Sequence, residues 1–144
     1  AFGAKVIYYS ASGAPAQEGY EQVDFETLLT QSDIISVHAP LNEHTEGLID
    51  REAFEKMKPS CIFLNLGRGP IVDEQALYDA LVRNQIAAAG LDVLCEEPMS
   101  ADNPLLKIKD SKRLLITPHI AWASVEARTH LMEIIHGQVK DFFA

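Results

Sequence analysis

The chain predicts an α/β fold, a doubly wound parallel sheet with helices packed on both faces. Three observations carry that prediction. Short apolar runs rich in β-branched residues alternate with stretches of helical periodicity, and such alternation calls for right-handed crossovers between parallel strands. The run Cys61-Ile62-Phe63-Leu64-Asn65-Leu66 is almost continuously apolar, as expected of a strand covered on both sides. The length of 144 residues, 47% of them hydrophobic, suits one domain.

Taken in order, Lys5-Val6-Ile7-Tyr8-Tyr9 reads as a strand that breaks at Ser10-Ala11-Ser12-Gly13-Ala14-Pro15. Asp24 is placed to cap a short helix whose Phe25, Leu28 and Leu29 share a face. Asp33-Ile34-Ile35-Ser36-Val37-His38 is the next strand, stopped by Pro40. Asp50 caps a second short helix through Phe54 and Met57, ending near Lys58-Pro59. After the 61–66 strand and Gly67-Arg68-Gly69-Pro70, a helix begins near Asp73 and carries Ala76, Leu77, Ala80 and Leu81 inward. Ala87-Ala88-Ala89-Gly90-Leu91-Asp92-Val93 is another buried strand, its small residues implying a closely packed helix. An irregular segment, 96–109, leads to the Leu114-Leu115-Ile116-Thr117 strand. Ser124 caps a long closing helix with Met132, Ile135, Val139 and Phe142 along one stripe.

Composition narrows the function. A net charge of −9 argues against a nucleic-acid partner, which needs a basic stripe, and against an anionic membrane surface. No run resembles a membrane span, and Ala1-Phe2-Gly3-Ala4-Lys5 is no signal peptide. Cys61 and Cys95 lack metal-type spacing and read as reduced thiols in a cytoplasmic protein; no metal site is expected. A start without methionine, running almost at once into a strand, is expected of a fragment or processed product.

Three polar groups follow strand ends, where open α/β sheets bind ligands. Arg68 lies between Gly67 and Gly69, which are read as letting the backbone turn sharply and a ligand approach. Its planar fork matches a carboxylate bidentately. The plainer alternative is a surface arginine in a turn. Asp92 ends a buried strand, where an unpaired carboxylate is costly, so a specific donor is expected. Glu97 follows, held extended by Pro98. His119 comes directly after Pro118, which ends its strand. A histidine oriented by a carboxylate, with an arginine nearby, is suited to moving a proton onto an anionic substrate's oxygen.

The runs Ile35-Ser36-Val37-His38-Ala39-Pro40-Leu41 with Thr45, Leu64-Asn65-Leu66-Gly67-Arg68-Gly69, Gly90-Leu91-Asp92-Val93 with Glu97-Pro98, and Thr117-Pro118-His119-Ile120-Ala121 cover nearly the whole chain. In order and spacing they resemble the D-isomer-specific 2-hydroxyacid dehydrogenases. Trp122 is most similar to the hydroxypyruvate reductase (glycerate dehydrogenase) branch. The resemblance implies a Rossmann-like NAD-binding domain and reduction of a small 2-oxo acid such as hydroxypyruvate or glyoxylate. It gives Arg68 the substrate carboxylate and 2-oxo oxygen, and makes His119 the acid that protonates that oxygen. Glu97 would hold the far nitrogen of His119 and fix the ring. Asp92 would bond the nicotinamide carboxamide, Pro40 and Thr45 would line the adenosine side, Leu66, Gly67 and Trp122 would lie near the cofactor, and His38 counts among the cofactor-binding residues. A homodimer is implied as well. A non-catalytic nucleotide-sensing or interaction protein on the same fold is the alternative, and the retained Arg68, Glu97 and His119 favour the enzyme.

Two departures stand out. Ser10 occupies the place where the family has an acidic residue for the ribose hydroxyls, and no arginine is there to attract a 2′-phosphate. NAD and NADP both stay open, with the balance toward NAD. The glycine-rich turn and the strand before it are absent, Ala1-Phe2-Gly3 reads as the tail of the following helix, and the substrate domain is missing. Residues 1–144 are thus expected to be a partial dinucleotide-binding domain, inactive alone. Its central gap is expected between the 5–9 and 61–66 strands, leaving edges open to pairing.

Overall fold

The computed structural model describes residues 3–143. Its regular elements are β1 (Ile7–Tyr8), β2 (Glu21–Gln22), α1 (Phe25–Gln31), β3 (Ile34–Val37), α2 (Arg51–Lys56), β4 (Ile62–Asn65), α3 (Glu74–Val82), β5 (Ala88–Leu91), β6 (Leu114–Ile116) and α4 (Val125–Phe142). Short 3-10 turns at Gly69–Ile71 and Pro104–Lys107 fall in the connections. The helix starts follow from their caps. Asp24 accepts from Thr27 N at 2.7 Å, Asp50 from Ala53 N at 2.9 Å, Asp73 from Ala76 N at 3.0 Å and Ser124 from Ala127 N at 3.1 Å.

All strand pairs are parallel, in one two-stranded sheet, β1-β2, and one four-stranded sheet, β3-β4-β5-β6. The parallel, Rossmann-like arrangement is as the sequence predicts. The pairing corrects the expected position of the gap. β4 is flanked on both sides, by β3 and β5, so the break in the sheet lies between β1 and β3. The reading of Ala1 and Phe2 as the tail of a preceding helix lies outside the described residues.

Coverage of both faces is not what the structure has. Phe63 and Ile35 point to the buried face, where they meet Leu29, Phe54, Leu77 and Leu81 of α1 to α3; Phe54 and Phe63 pack edge to face, centroids 5.4 Å apart. The opposite face is open, with Ile34 and Leu115 each 60% exposed. Consecutive strands added in one direction with right-handed crossovers send successive helices to the same face. Among the small residues of β5, Ala89 is buried in the core with Leu77, Ala80 and Leu81 of α3, as expected, but Gly90 has a different cause. A Cβ on Gly90 would lie 2.9 Å from Leu64 Cδ2, so Gly90 makes room for a neighbouring strand's leucine rather than for a helix. No residue of α4 is buried, and Met132, Ile135, Val139 and Phe142 are exposed. No helix among the described residues is long and apolar enough to cross a membrane.

Candidate active site

β4, β5 and β6 are parallel neighbours, so their carboxyl ends deliver three loops to one side of the sheet. There Leu66, Arg68, Asp92, His119, Ala121, Trp122 and Leu131 line a cavity of about 390 Å³. The strand order thus unites Arg68, Asp92 and His119, which lie far apart in sequence. Leu131 comes from α4 and falls outside the stripe read from the sequence. No local signal marks it.

His119 is held from several sides. Its φ is 55°, the left-handed region that a non-glycine residue adopts only where its surroundings fix it. Nδ1 lies 2.8 Å from Glu97 Oε2. The other carboxylate oxygen, Oε1, accepts from Leu94 N at 2.9 Å, which fixes the glutamate in turn. The bond to His119, and then that from Leu94 N–H, hold the Glu97 carboxyl below its ordinary pKa of 4.5. Trp122 Nε1 donates to the His119 carbonyl at 3.0 Å. Nε2 of His119 has no hydrogen-bond partner among the described residues.

Asp92, 3% exposed, has the specific donors that its burial requires. The Thr117 hydroxyl donates to Oδ1 at 2.5 Å, Ile120 N to Oδ1 at 2.9 Å and Ala121 N to Oδ2 at 2.8 Å. Burial pushes its pKa up, but these three bonds outweigh it, and the carboxyl sits below 3.8. Every donor belongs to the loop that carries His119.

On the neighbouring loop, Arg68 Nη1 folds back onto the Gly67 carbonyl at 2.8 Å. The glycines beside it act otherwise than expected. Neither has a positive φ, so no special turn requires them. A Cβ on Gly69 would fall 1.9 Å from Leu94 O and 2.4 Å from Cys95 N, and one on Gly67 would lie 3.0 Å from Ala39 O. Gly69 therefore lets the Arg68 loop lie directly against the loop leading to Glu97, and the close approach is of backbone to backbone. Cys95 sits at that junction, its Sγ 3.6 Å from Val72 O; burial, then Glu74, push the thiol up to about 12.

The other candidate residues lie in a cleft of about 670 Å³ between β1 and β3. Ser10, Ser36, His38, Pro40 and Thr45 are among its lining residues, and no Asp, Glu, Lys or Arg is. Ser10 Oγ and Ser12 Oγ are 3.2 Å apart, and His38 Nε2 is 2.8 Å from Ser36 Oγ. Thr45 is buried, with its hydroxyl donating to Pro40 O at 2.6 Å. The structure thus groups Leu66, Asp92 and Trp122 with Arg68 and His119, and Ser10, His38, Pro40 and Thr45 apart from them. Asn65, absent from the residues singled out by sequence, is buried beneath the Arg68 loop.

Known proteins resemble the chain in both sequence and fold. Residues 1–121 match the family described as D-isomer specific 2-hydroxyacid dehydrogenase, NAD binding domain. Hydroxypyruvate reductase of Blautia hydrogenotrophica is 46% identical over 144 residues, covering 99% of this chain and 44% of that protein. An acyclic imino acid reductase, solved with NADPH and D-Arg, superposes with a TM-score of 0.86 at 37% identity, over 96% of this chain and 43% of that one. D-lactate dehydrogenase of Aquifex aeolicus, solved with NAD and lactic acid, gives a TM-score of 0.86 at 30% identity, over 99% and 47%. The chain spans less than half the length of each of these relatives.

Proposed function

Since the chain belongs to the D-isomer-specific 2-hydroxyacid dehydrogenase family through its NAD-binding domain, we propose that it forms the cofactor-binding, proton-transferring half of an oxidoreductase. That enzyme interconverts small 2-oxo acids and D-2-hydroxy acids, with hydroxypyruvate or glyoxylate as the substrate type. One observation carries the reading: Arg68 and a Glu97-held His119 share one cavity at the strand ends.

A nicotinamide dinucleotide suits the chain on two counts. The β1–β3 cleft has the volume of a small-molecule site, and Ser10, His38, Pro40 and Thr45 would hold the adenosine side there. Leu66, Gly67, Asp92 and Trp122 would face the nicotinamide end. When bound, the cofactor supplies or accepts the hydride. Arg68 pairs with the substrate carboxylate and polarises the 2-oxo oxygen. His119, protonated and bonded through Nδ1 to Glu97, gives the Nε2 proton to that oxygen as the carbonyl becomes a hydroxyl; in the reverse direction Nε2 takes the proton back. Glu97 fixes the ring and stabilises the imidazolium. Leu66, Ala121 and Trp122 add apolar surface to the same cavity.

The neutral cleft neither repels nor attracts a 2′-phosphate, so NAD and NADP are both accepted, with NAD preferred. The reading extends to a homodimer, on the family resemblance, and to the cytoplasm, on the unpaired Cys61 and Cys95. The test is cofactor oxidation by the protein extended to the length of its relatives, with glyoxylate, hydroxypyruvate and pyruvate against NADH and NADPH. Turnover of at least one 2-oxo acid is expected. Cofactor binding without turnover of any acid would favour a nucleotide-sensing protein instead.

A further inference from the structure

We propose that Asn65 is the positioning residue for Arg68, setting the guanidinium through the backbone of the loop that carries it. The inference rests on the role given to Arg68 above. Asn65 ends β4 and is 1% exposed. A buried carboxamide is costly unless paired, and both halves of this one are spent on the same loop. Oδ1 accepts from Gly67 N at 3.1 Å, and Nδ2 donates to Arg68 O at 3.0 Å.

The two bonds bracket Gly67 and Arg68, from the N–H at one end of the pair to the carbonyl at the other. Only one orientation of the amide satisfies both. Apart from Arg68's own Nη1, no other described side chain bonds the backbone of residues 67 and 68. The main chain of Asn65 accepts from Asp92 N at 3.0 Å. The residue beneath Arg68 is therefore also tied to the strand end that anchors the His119 loop.

Aspartate at position 65 keeps the shape and the acceptor for Gly67 N, but sets a carboxylate oxygen against the Arg68 carbonyl. In the protein extended to its relatives' length, Asn65→Asp is expected to raise the KM for hydroxypyruvate and the inhibition constant of oxamate by about tenfold, the worth of one charge-opposed buried bond. Affinity for NADH should stay within about twofold. The deciding readout is a double-mutant cycle. In an Arg68→Ala background, Asn65→Asp should change kcat/KM by less than about twofold, because the group it places is gone. A loss that persists undiminished in that background, a parallel loss of NADH affinity, or no loss in the single variant overturns the inference. Should Arg68→Ala alone leave kcat/KM unchanged, the role of Arg68 fails first and this inference with it. If Asn65→Asp does not give a cooperative melt, Asn65→Ser, which breaks both bonds without adding charge, carries the same cycle.

Discussion

Replacing Asp92 with asparagine should destabilise the chain by about 2–4 kcal/mol, despite leaving its shape unchanged. The carboxylate takes three donors at 2.5–2.9 Å on two oxygens in a buried place. An amide offers one oxygen. If that oxygen stays with Thr117 and Ile120, the new NH2 faces Ala121 N–H, donor against donor. If the amide turns over, Ile120 N–H loses its acceptor instead, while the Thr117 hydroxyl can rotate and accept. Either way one charge-assisted bond, worth about 1.5–3 kcal/mol, is lost and one buried N–H is left unpaired. The stability of a whole domain is about 5–15 kcal/mol, so the effect is readily measured by urea unfolding of this chain. Hydrogen exchange at the amides of Ile120 and Ala121 should accelerate, because the anchor against the left-handed strain at His119 is weakened. A loss under about 0.5 kcal/mol with unchanged exchange would refute this account of the loop.

Two other outcomes follow from the same geometry. Gly69→Ala drives a methyl to 1.9 Å from the Leu94 carbonyl. Backbone cannot step aside as a flexible side chain can, so a cost of about 3 kcal/mol or more is expected, with the Arg68 and Glu97 loops forced apart; an unchanged urea midpoint would show that the loops slide freely. Glu97→Gln should flatten the acid limb of stability. The Glu97 carboxyl is held below 4.5, so its contribution is full above that pH and lost as pH falls through the lower, folded-state value. Below about pH 4.5 the native chain should therefore lose stability more steeply than the variant; parallel profiles would mean that the pair with His119 contributes nothing.

Much of the fold was legible because its signals are local. Asp24, Asp50 and Ser124 announce their helices by capping chemistry, and His119 lies where a proline ends a strand. The polar groups after the strands were legible as a site because parallel neighbours deliver their carboxyl ends to one side. What stayed hidden depends on neighbours distant in sequence. Glu21–Gln22 is two polar residues long and becomes a strand only by pairing with Ile7–Tyr8. The place of the gap depends on strand order, and the open face of the sheet on the direction in which strands are added. Gly67 and Gly69 looked like turn residues, but their reason is the carbonyls of Ala39 and Leu94. Asn65 was quoted only as part of a motif; its value comes from burial beneath the loop, which no composition reveals. Leu131 enters the cavity from a helix whose exposed stripe says nothing of it.

The role proposed for His119, oriented by Glu97, is to supply the proton in 2-oxo acid reduction. Its most direct test is His119→Ala in the protein extended to the length of its relatives, assayed for cofactor oxidation and for cofactor binding side by side. NADH binding is expected to be retained while kcat falls at least about a hundredfold, the usual contribution of a general acid. Reduction of hydroxypyruvate or glyoxylate at an unchanged rate would contradict that role.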